Sequence, residues 1–385
     1  MILNEPSIFR FATRELSQDA FVAWLFAWVD HPGDSGLHLC AKSILAQLCN
    51  IQTGLHLQAD DVRLLLAPKD RLDEPQPHVQ YHGIDVYLRI LCKDGRTLSI
   101  IIENKTRTGA HDDQLKRYRD TIKGLVPEDG DPVCLYFKTG YVFDFERKHV
   151  EDQGYSVLGA EDMLGLLATT GMGIAHALFH DYVDHLGRIT GERERVLRTF
   201  EETSDPCLLN HDYCQYELMK RLRTACDCAQ WNIGMEVTTP AQWYTYADIH
   251  PGTDHGRPWT SLVFACFPDM YGGQSEVLAY RLQMGGTGES PNPELVLQQY
   301  AWWEGNHPDF EARKTARRDR LRSLFREICP TGGLLLERGV RNRGRYASEI
   351  AAFCMTDARA RELLMTHLPA MHQGFVKRVQ RTMTG

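Results

Sequence analysis

The chain has 385 residues, 43% of them hydrophobic and 24% charged, with a formal net charge of −8. This length allows two domains, each with its own core, and the composition excludes a fibrous or disordered chain. The negative balance also argues against a protein that binds nucleic acid over its whole surface. The charge is uneven, however: residues 1–205 hold 22 Lys+Arg against 32 Asp+Glu, and residues 206–385 hold 21 against 19, so local basic patches belong to the second half.

Eleven cysteines are scattered without pairing pattern, and residues 1–10 carry no basic segment leading into an apolar one. A reduced, cytoplasmic setting is expected. The longest apolar run, residues 21–29, is too short to span a bilayer. It reads as a buried helix, and no membrane association is expected.

Residues 13–30 have Leu16, Ala20, Ala23, Trp24 and Ala27 at helical spacing, ended by Pro32-Gly33, with a second helix over 38–49. Residues 61–66 read as a strand and 69–78 as a polar, proline-broken loop, where Arg71 and His78 are open to solvent or substrate. Val86, Leu88 and Ile90 then alternate with Tyr87, Arg89 and Leu91, the pattern of a half-buried strand. Lys93-Asp94-Gly95-Arg96 is a turn signal, and residues 98–102 form a β-branched run ending in Glu103, Asn104 and Lys105. A helix carrying Gln114 and Tyr118 one turn apart follows. His111, on the same face, reads as a surface histidine.

Side chains two apart on a strand share a face, so Glu103 and Lys105 point together and Asn104 points away. A two-residue Asp94-Gly95 turn would pair Asp85 with Asn104. A loop centred on Asp94, or a bulge, would instead set Asp85 opposite Glu103 on one face. The second register is predicted, because it gathers two carboxylates into a hard-oxygen site with an ammonium alongside.

Asp85, seventeen residues, then Glu103-Asn104-Lys105 resembles the D…(D/E)-x-K core of the PD-(D/E)XK nuclease superfamily. Gln114-Leu115-Lys116-Arg117-Tyr118 is similar to the Q-x-x-x-Y helix of its RecB-like branch. Glu15-Leu16-Ser17, His31-Pro32 and Gly36-Leu37-His38 loosely resemble the opening of an uncharacterised bacterial subgroup. Ile84 stands where the motif's name has proline. The resemblance spans about residues 5–160 and implies a restriction-endonuclease-like α/β fold, a mixed β-sheet flanked by helices. It also implies Mg²⁺, with Mn²⁺ able to substitute, held by Asp85, Glu103, the main-chain carbonyl of Asn104 and, directly or through water, Glu15. Lys105 would hold or activate the attacking water, Gln114 would orient Lys105 or a water, and Tyr118 would meet a phosphate.

The pattern after the core is consistent with this. Residues 132–137 form a strand parallel to the Glu103 strand after a crossover helix. A further strand at 154–158, a helix at 160–167 and a long helix over 174–200 follow. Ser204-Asp205-Pro206 marks the domain boundary, giving a nuclease domain of 1–205 and an α+β domain of 206–385 for nucleic acid or a partner. In the second domain a helix is expected at 213–228, with strands at Val237, 243–249, 259–267 and 277–283. Helices follow at 296–303 and 310–328, then residues 334–336 and a last helix at 357–368. Cys207, His211, Cys214, Cys226 and Cys228 match no common zinc spacing, helical positions such as Cys214 read as core thiols, and the Gly285–Gly288 stretch is an ordinary turn. The main basic concentration includes Arg313, Lys314, Arg317, Arg318, Arg341 and Arg343, several at helical spacing, a candidate phosphate-contacting face. Trp302 and Trp303 nearby are candidates for stacking or core packing.

The expected function is a Mg²⁺-dependent nuclease, more a DNA than an RNA enzyme, with the resemblance implying a bacterial defence or restriction setting. Homo-oligomers or a defence-complex partner are compatible with it. The alternatives are a catalytically silent nuclease-like scaffold subunit and an RNA-directed nuclease. The intact Asp85, Glu103 and Lys105 argue against the silent form.

Overall fold

The central hairpin closes as its turn residues dictate, in a computed structural model that describes residues 9, 15–67, 76–106, 109, 113–203, 205–228, 249–254, 257–267, 275–285, 292–302, 309–329, 335–336, 342–343, 346–356 and 358–383. Strand β3 (Ile84–Cys92) returns as β4 (Thr97–Lys105) with Leu91 opposite Thr97 and Val86 opposite Ile102. The Cys92 N–H donates to the Arg96 carbonyl at 2.8 Å, so the loop is centred on Asp94, and Gly95 takes the left-handed φ of +87°. One further step of this register sets Asp85 opposite Glu103, the arrangement predicted above.

The chain divides into two compact units, Met1–Glu194 and Arg195–Gly385. The division falls inside one long helix, ahead of Asp205-Pro206. In the first unit, β1 (Val62–Leu65), β3, β4, β5 (Val133–Lys138) and β6 (Ser156–Gly159) lie in that order, with β2 (His78–Tyr81) also on β3. Pairs β1–β3, β2–β3 and β3–β4 are antiparallel, and β4–β5 and β5–β6 parallel. The helix between β4 and β5, α3 (Gln114–Leu125), makes the crossover that a parallel pair requires. Neither β2 nor the helix between β5 and β6, α4 (Asp144–Asp152), was expected from sequence.

Both faces of this sheet are covered. Val86, Leu88, Ile90, Ile100, Ile102, Leu135 and Phe137 pack with residues of α1 (Glu15–Ala27), α2 (Ser35–Thr53), α5 (Ala160–Thr170) and α6 (Ala177–Thr203). Ile84, Tyr87, Ile101, Cys134 and Tyr136 pack with Leu115, Tyr118 and Ile122 of α3 and Val150 of α4. The half-buried reading of β3 is therefore corrected: its alternation separates two cores, and Tyr87 is as buried as Val86. A mixed sheet with helices on both faces is the α/β class expected from sequence. Helix α2 starts earlier than its apolar pattern, because the Asp34 carboxylate accepts from the Gly36 and Leu37 N–H groups.

The second unit has a separate, wholly antiparallel sheet in the order β11 (Asn342–Arg343), β12 (Ala347–Cys354), β10 (Asn292–Trp302), β9 (Ser275–Gly285), β8 (Arg257–Phe267), β7 (Ile249–Asp254). Helices α7 (Asp212–Ala225), α8 (Phe310–Arg326) and α9 (Ala358–Met383) complete it. The helix expected at 296–303 is corrected to β10. This strand pairs on both sides, with β9 and β12, and Leu295, Val296, Leu297, Gln298 and Gln299 are all buried. A central strand buried on both faces loses the two-residue alternation that would identify it. Val237, residues 243–248, Arg71 and His111 lie outside the described residues. Among the described residues no helix is long and apolar enough to cross a membrane.

Candidate active site

The end of β4 is sealed by its neighbours: Glu103 and Asn104 are fully buried, and Lys105 and Asp85 nearly so. The Lys105 Nζ donates to Glu103 Oε1 at 2.5 Å and lies 3.8 Å from Asp85 Oδ2. Asp85, Glu103 and Lys105 therefore converge, as their shared face requires. Asp85 is held at both oxygens, Oδ1 accepting from Gln80 Nε2 at 3.0 Å and Oδ2 from the Asn104 N–H at 2.9 Å.

The electrostatics of this cluster are unbalanced. Burial, then the charge of Asp85, pushes the Glu103 carboxyl up to about 8 against the pull of Lys105. Burial works to lower the Lys105 pKa, but Glu103 and Asp85 outweigh it and hold it above its ordinary value. One ammonium thus faces two carboxylates, and a third lies beside them. Asp19 of α1 is fully buried, and burial followed by Asp85 raises its carboxyl to about 7. Its oxygens accept from Asn104 Nδ2 at 2.7 Å and Gln80 Nε2 at 3.5 Å.

Sequence reasoning missed Asp19 and Gln80. Asp19 had a usable signal, since it stands four residues after Glu15 on the same helix face. Gln80 had none: it sits on the unexpected strand β2, with a left-handed φ of +58°, a conformation sparse for a residue with a Cβ. Glu15 reaches the same region, its Oε1 accepting from the Thr106 N–H at 3.2 Å.

Gln114 Nε2 donates to Glu103 Oε1 at 2.8 Å and to the Tyr118 hydroxyl oxygen at 3.0 Å, so it holds the carboxylate that Lys105 also grips. Tyr118 packs with Ile84 and Leu115, its hydroxyl turned to Gln114.

Among the described residues no group of three or more His, Cys, Asp or Glu is arranged as a metal cage. The donors present nevertheless fit a hard cation. Glu103 Oε2 is buried with no hydrogen-bond partner, two carboxylates share one face, and Mg²⁺ ordinarily takes one or two carboxylates and fills its shell with water and phosphate.

In the second unit the basic face is corrected. Lys314 is buried against Phe310 and pairs with Glu311 at 3.4 Å. Arg317 lies over Phe267 and pairs with Glu276 at 3.4 Å, and Arg318 turns to Asp319. The helical spacing was read correctly, but Lys314, Leu321 and Phe325 form the packed stripe of α8, and the cations on that side pair with nearby acids, of which Glu276 is buried and Glu311 and Asp319 are exposed. Arg313 remains exposed. Arg343 is a β11 residue, and Arg341 lies outside the described residues, as does Trp303. Cys214, Cys226 and Cys228 are buried thiols, and Cys207 is exposed.

No protein-family model matches the chain, and no curated protein matches it either. Among solved structures, the chain is similar to "DNA modification-dependent restriction endonuclease AspBHI" at 17% identity, over 46% of this chain and 40% of that one, with a TM-score of 0.18. The match thus spans less than half of that enzyme, and a superposition this slight leaves the geometry of Asp85, Glu103 and Lys105 as the ground for any functional reading.

Proposed function

We propose that the chain is a metal-dependent nuclease that hydrolyses phosphodiester bonds, with DNA as its substrate. The observation that carries this reading is the convergence of Asp85, Glu103 and Lys105 on one face at the mouth of a β-hairpin. Asp85 and Glu103, with the main-chain carbonyl of Asn104 and Glu15 close by, are the groups that would hold Mg²⁺ or Mn²⁺. A divalent cation there supplies positive charge to the phosphodiester and makes water a better nucleophile. The protein's own groups do the rest. Gln80 and the Asn104 N–H fix both oxygens of Asp85, Gln114 fixes Glu103, and Lys105 offers an ammonium for the charge that grows on phosphate oxygens. A bacterial defence role fits this chemistry and rests on the sequence resemblance alone.

The test compares wild type with Lys105→Met on supercoiled, linear and single-stranded DNA and on RNA, in Mg²⁺ and in EDTA. Cleavage of DNA by wild type in Mg²⁺, abolished by EDTA and lowered roughly 10²–10³-fold or more in the variant, supports the reading. Cutting that survives both EDTA and Lys105→Met would sink it. Preferential cleavage of RNA would reassign the substrate.

A further inference from the structure

The last turn of α6, the α7 face carrying Leu218 and Arg221, and the α9 face carrying Arg361 and Met365 line a pocket of about 550 Å³ in the second unit. Residues three or four apart stand one above the other on a helix, which is why these pairs meet the same space. Phe200 of α6 is the buried aromatic wall. The volume falls within the range of about 300–1,000 Å³ that small-molecule sites occupy.

Two guanidiniums address the Phe200 ring. Arg361 Cζ lies 5.3 Å from the ring centre and Arg221 Cζ 5.9 Å from it. The two are not equivalent. Arg221 is exposed, and its Nη2 donates to Glu201 Oε1 at 3.1 Å, so its charge is already answered. Arg361 is only 4% exposed, and neither its Nη1 nor its Nη2 has a hydrogen-bond partner among the described residues. Burial pulls the Arg361 pKa below its ordinary value, while Asp205 opposes this and Arg221 adds to it. Asp205 is occupied elsewhere, its Oδ1 accepting from the Cys207 N–H at 2.9 Å.

A buried guanidinium without a partner is costly, and arginine cannot shed its proton to escape that cost. On the wall of a pocket it points to an anion that completes it. The surroundings select the class. A cationic ligand is repelled, and a neutral apolar one leaves Arg361 unpaired. The Thr203 and Thr366 hydroxyls spend their protons on the Thr199 and Glu362 carbonyls at 2.7 and 2.9 Å. The two free ends of the Arg361 fork therefore supply the donors, and a planar fork matches an oxyanion held by two parallel bonds.

Charge narrows the choice. With Arg221 answered by Glu201, and Glu362 also on the lining, at most one positive unit is left over. A phosphate monoester brings about −1.5 to −2, and a nucleic-acid strand brings more, past the exposed Glu201, Glu202 and Glu362. A carboxylate brings one. Phe200, Leu218 and Met365 offer apolar surface to the rest of such a ligand.

We propose that the pocket between α6, α7 and α9 binds a small organic carboxylate, its two oxygens on the Arg361 fork and its apolar body against Phe200, Leu218 and Met365. Nothing in this site requires the nuclease chemistry of the first unit.

The test is titration calorimetry of the full chain with hexanoate, hexan-1-ol and inorganic phosphate. The variants are Arg361→Met, Thr366→Trp and, as control, Arg359→Met, at an exposed position outside the lining. Arg361→Met removes an unpaired charge and should leave the melting temperature of the ligand-free protein equal or higher. Thr366 is exposed and on the lining, so Thr366→Trp fills the pocket without altering a charge. Wild type should bind hexanoate at about 1 mM or tighter, and about tenfold or more tighter than hexan-1-ol, which lacks the charge. Arg361→Met and Thr366→Trp should each weaken hexanoate by about tenfold or more, and Arg359→Met should leave it unchanged. Hexanoate at about ten times its Kd should raise the melting temperature of wild type and not that of Arg361→Met. No binding of hexanoate, or hexan-1-ol binding as tightly, overturns the proposal. Phosphate binding more tightly than hexanoate also overturns it, as does hexanoate binding that survives Arg361→Met.

Discussion

Asn104 Nδ2 donates to Asp19 Oδ1 at 2.7 Å, tying the strand that carries Glu103 and Lys105 to the first helix. The bond explains why Asn104 faces away from its two neighbours yet is fully buried. Asp19→Asn retains an acceptor for that amide, so unfolding stability should be equal or higher. Asp19→Leu strips the Asn104 amide of its acceptor and should cost about 1–3 kcal/mol. Urea titrations of the two variants separate these outcomes. Asp19→Asn should also raise the Mg²⁺ concentration needed for half-maximal cleavage, since it removes a negative charge beside Asp85.

A second buried pair lies one strand away. Lys138, in register with Lys105, donates to both Glu146 oxygens at 2.8 and 2.7 Å, and the Tyr136 hydroxyl donates to Glu146 Oε1 at 2.6 Å. Lys138→Met alone leaves a buried carboxylate without its cation and should cost about 3–5 kcal/mol. The triple change Lys138→Met, Glu146→Leu, Tyr136→Phe should recover most of that loss. Additive losses in chemical denaturation would show that the three do not act as a unit.

Stability should fall with acid through Asp129. Burial alone would raise its pKa, but hydrogen bonds from Arg89, Thr97 and Ser99 outweigh burial and hold it below the ordinary carboxylate range. Arg89 makes two of these bonds, Nε to Oδ2 at 2.7 Å and Nη2 to Oδ1 at 2.6 Å. A depressed folded pKa contributes stability above the unfolded value of about 3.9, and this is lost as pH falls through the folded value. Arg89→Met should remove that contribution, so its melting temperature should lie below that of wild type at pH 7 and the gap should narrow as pH falls toward 3. Parallel melting curves for both proteins between pH 7 and pH 3 would refute the assignment.

Gly140 tests how tightly the ends of β4 and β5 are joined. A Cβ there would stand 2.2 Å from the Thr106 carbonyl oxygen, and the Thr139 N–H donates to the Lys105 carbonyl at 3.0 Å. Gly140→Ala must push backbone from backbone beside Lys105. It should destabilise by about 1–3 kcal/mol and lower cleavage by more than the loss of folded protein explains, measured as activity per folded molecule at low temperature.

Much of the first unit was legible in the order of residues because its signals are local. Asp94-Gly95 names a turn, residues 98–102 name a strand, and Gln114 and Tyr118 lie one turn apart on whatever helix contains them. What escaped is tertiary. Gln80 and Asp19 reach the site only because β2 and α1 pack on β3. The α4 segment, Asp-Phe-Glu-Arg-Lys-His-Val-Glu-Asp, is short and polar and shows little beyond Val150 and Glu146 facing inward. In the second unit, Leu295 to Gln299 use residues that favour helices, and only pairing on both sides makes them strand. Arg317 looks like part of a basic surface until Glu276 and Phe267 appear beside it from the sheet strands.

The grip of Lys105 on Glu103 has a consequence for metal affinity. On the proposed reading, a divalent ion would have to share Glu103 with an ammonium already bonded to its Oε1, and the two would compete for that carboxylate. Lys105→Met should therefore take up Mg²⁺ more tightly in calorimetry while cutting less.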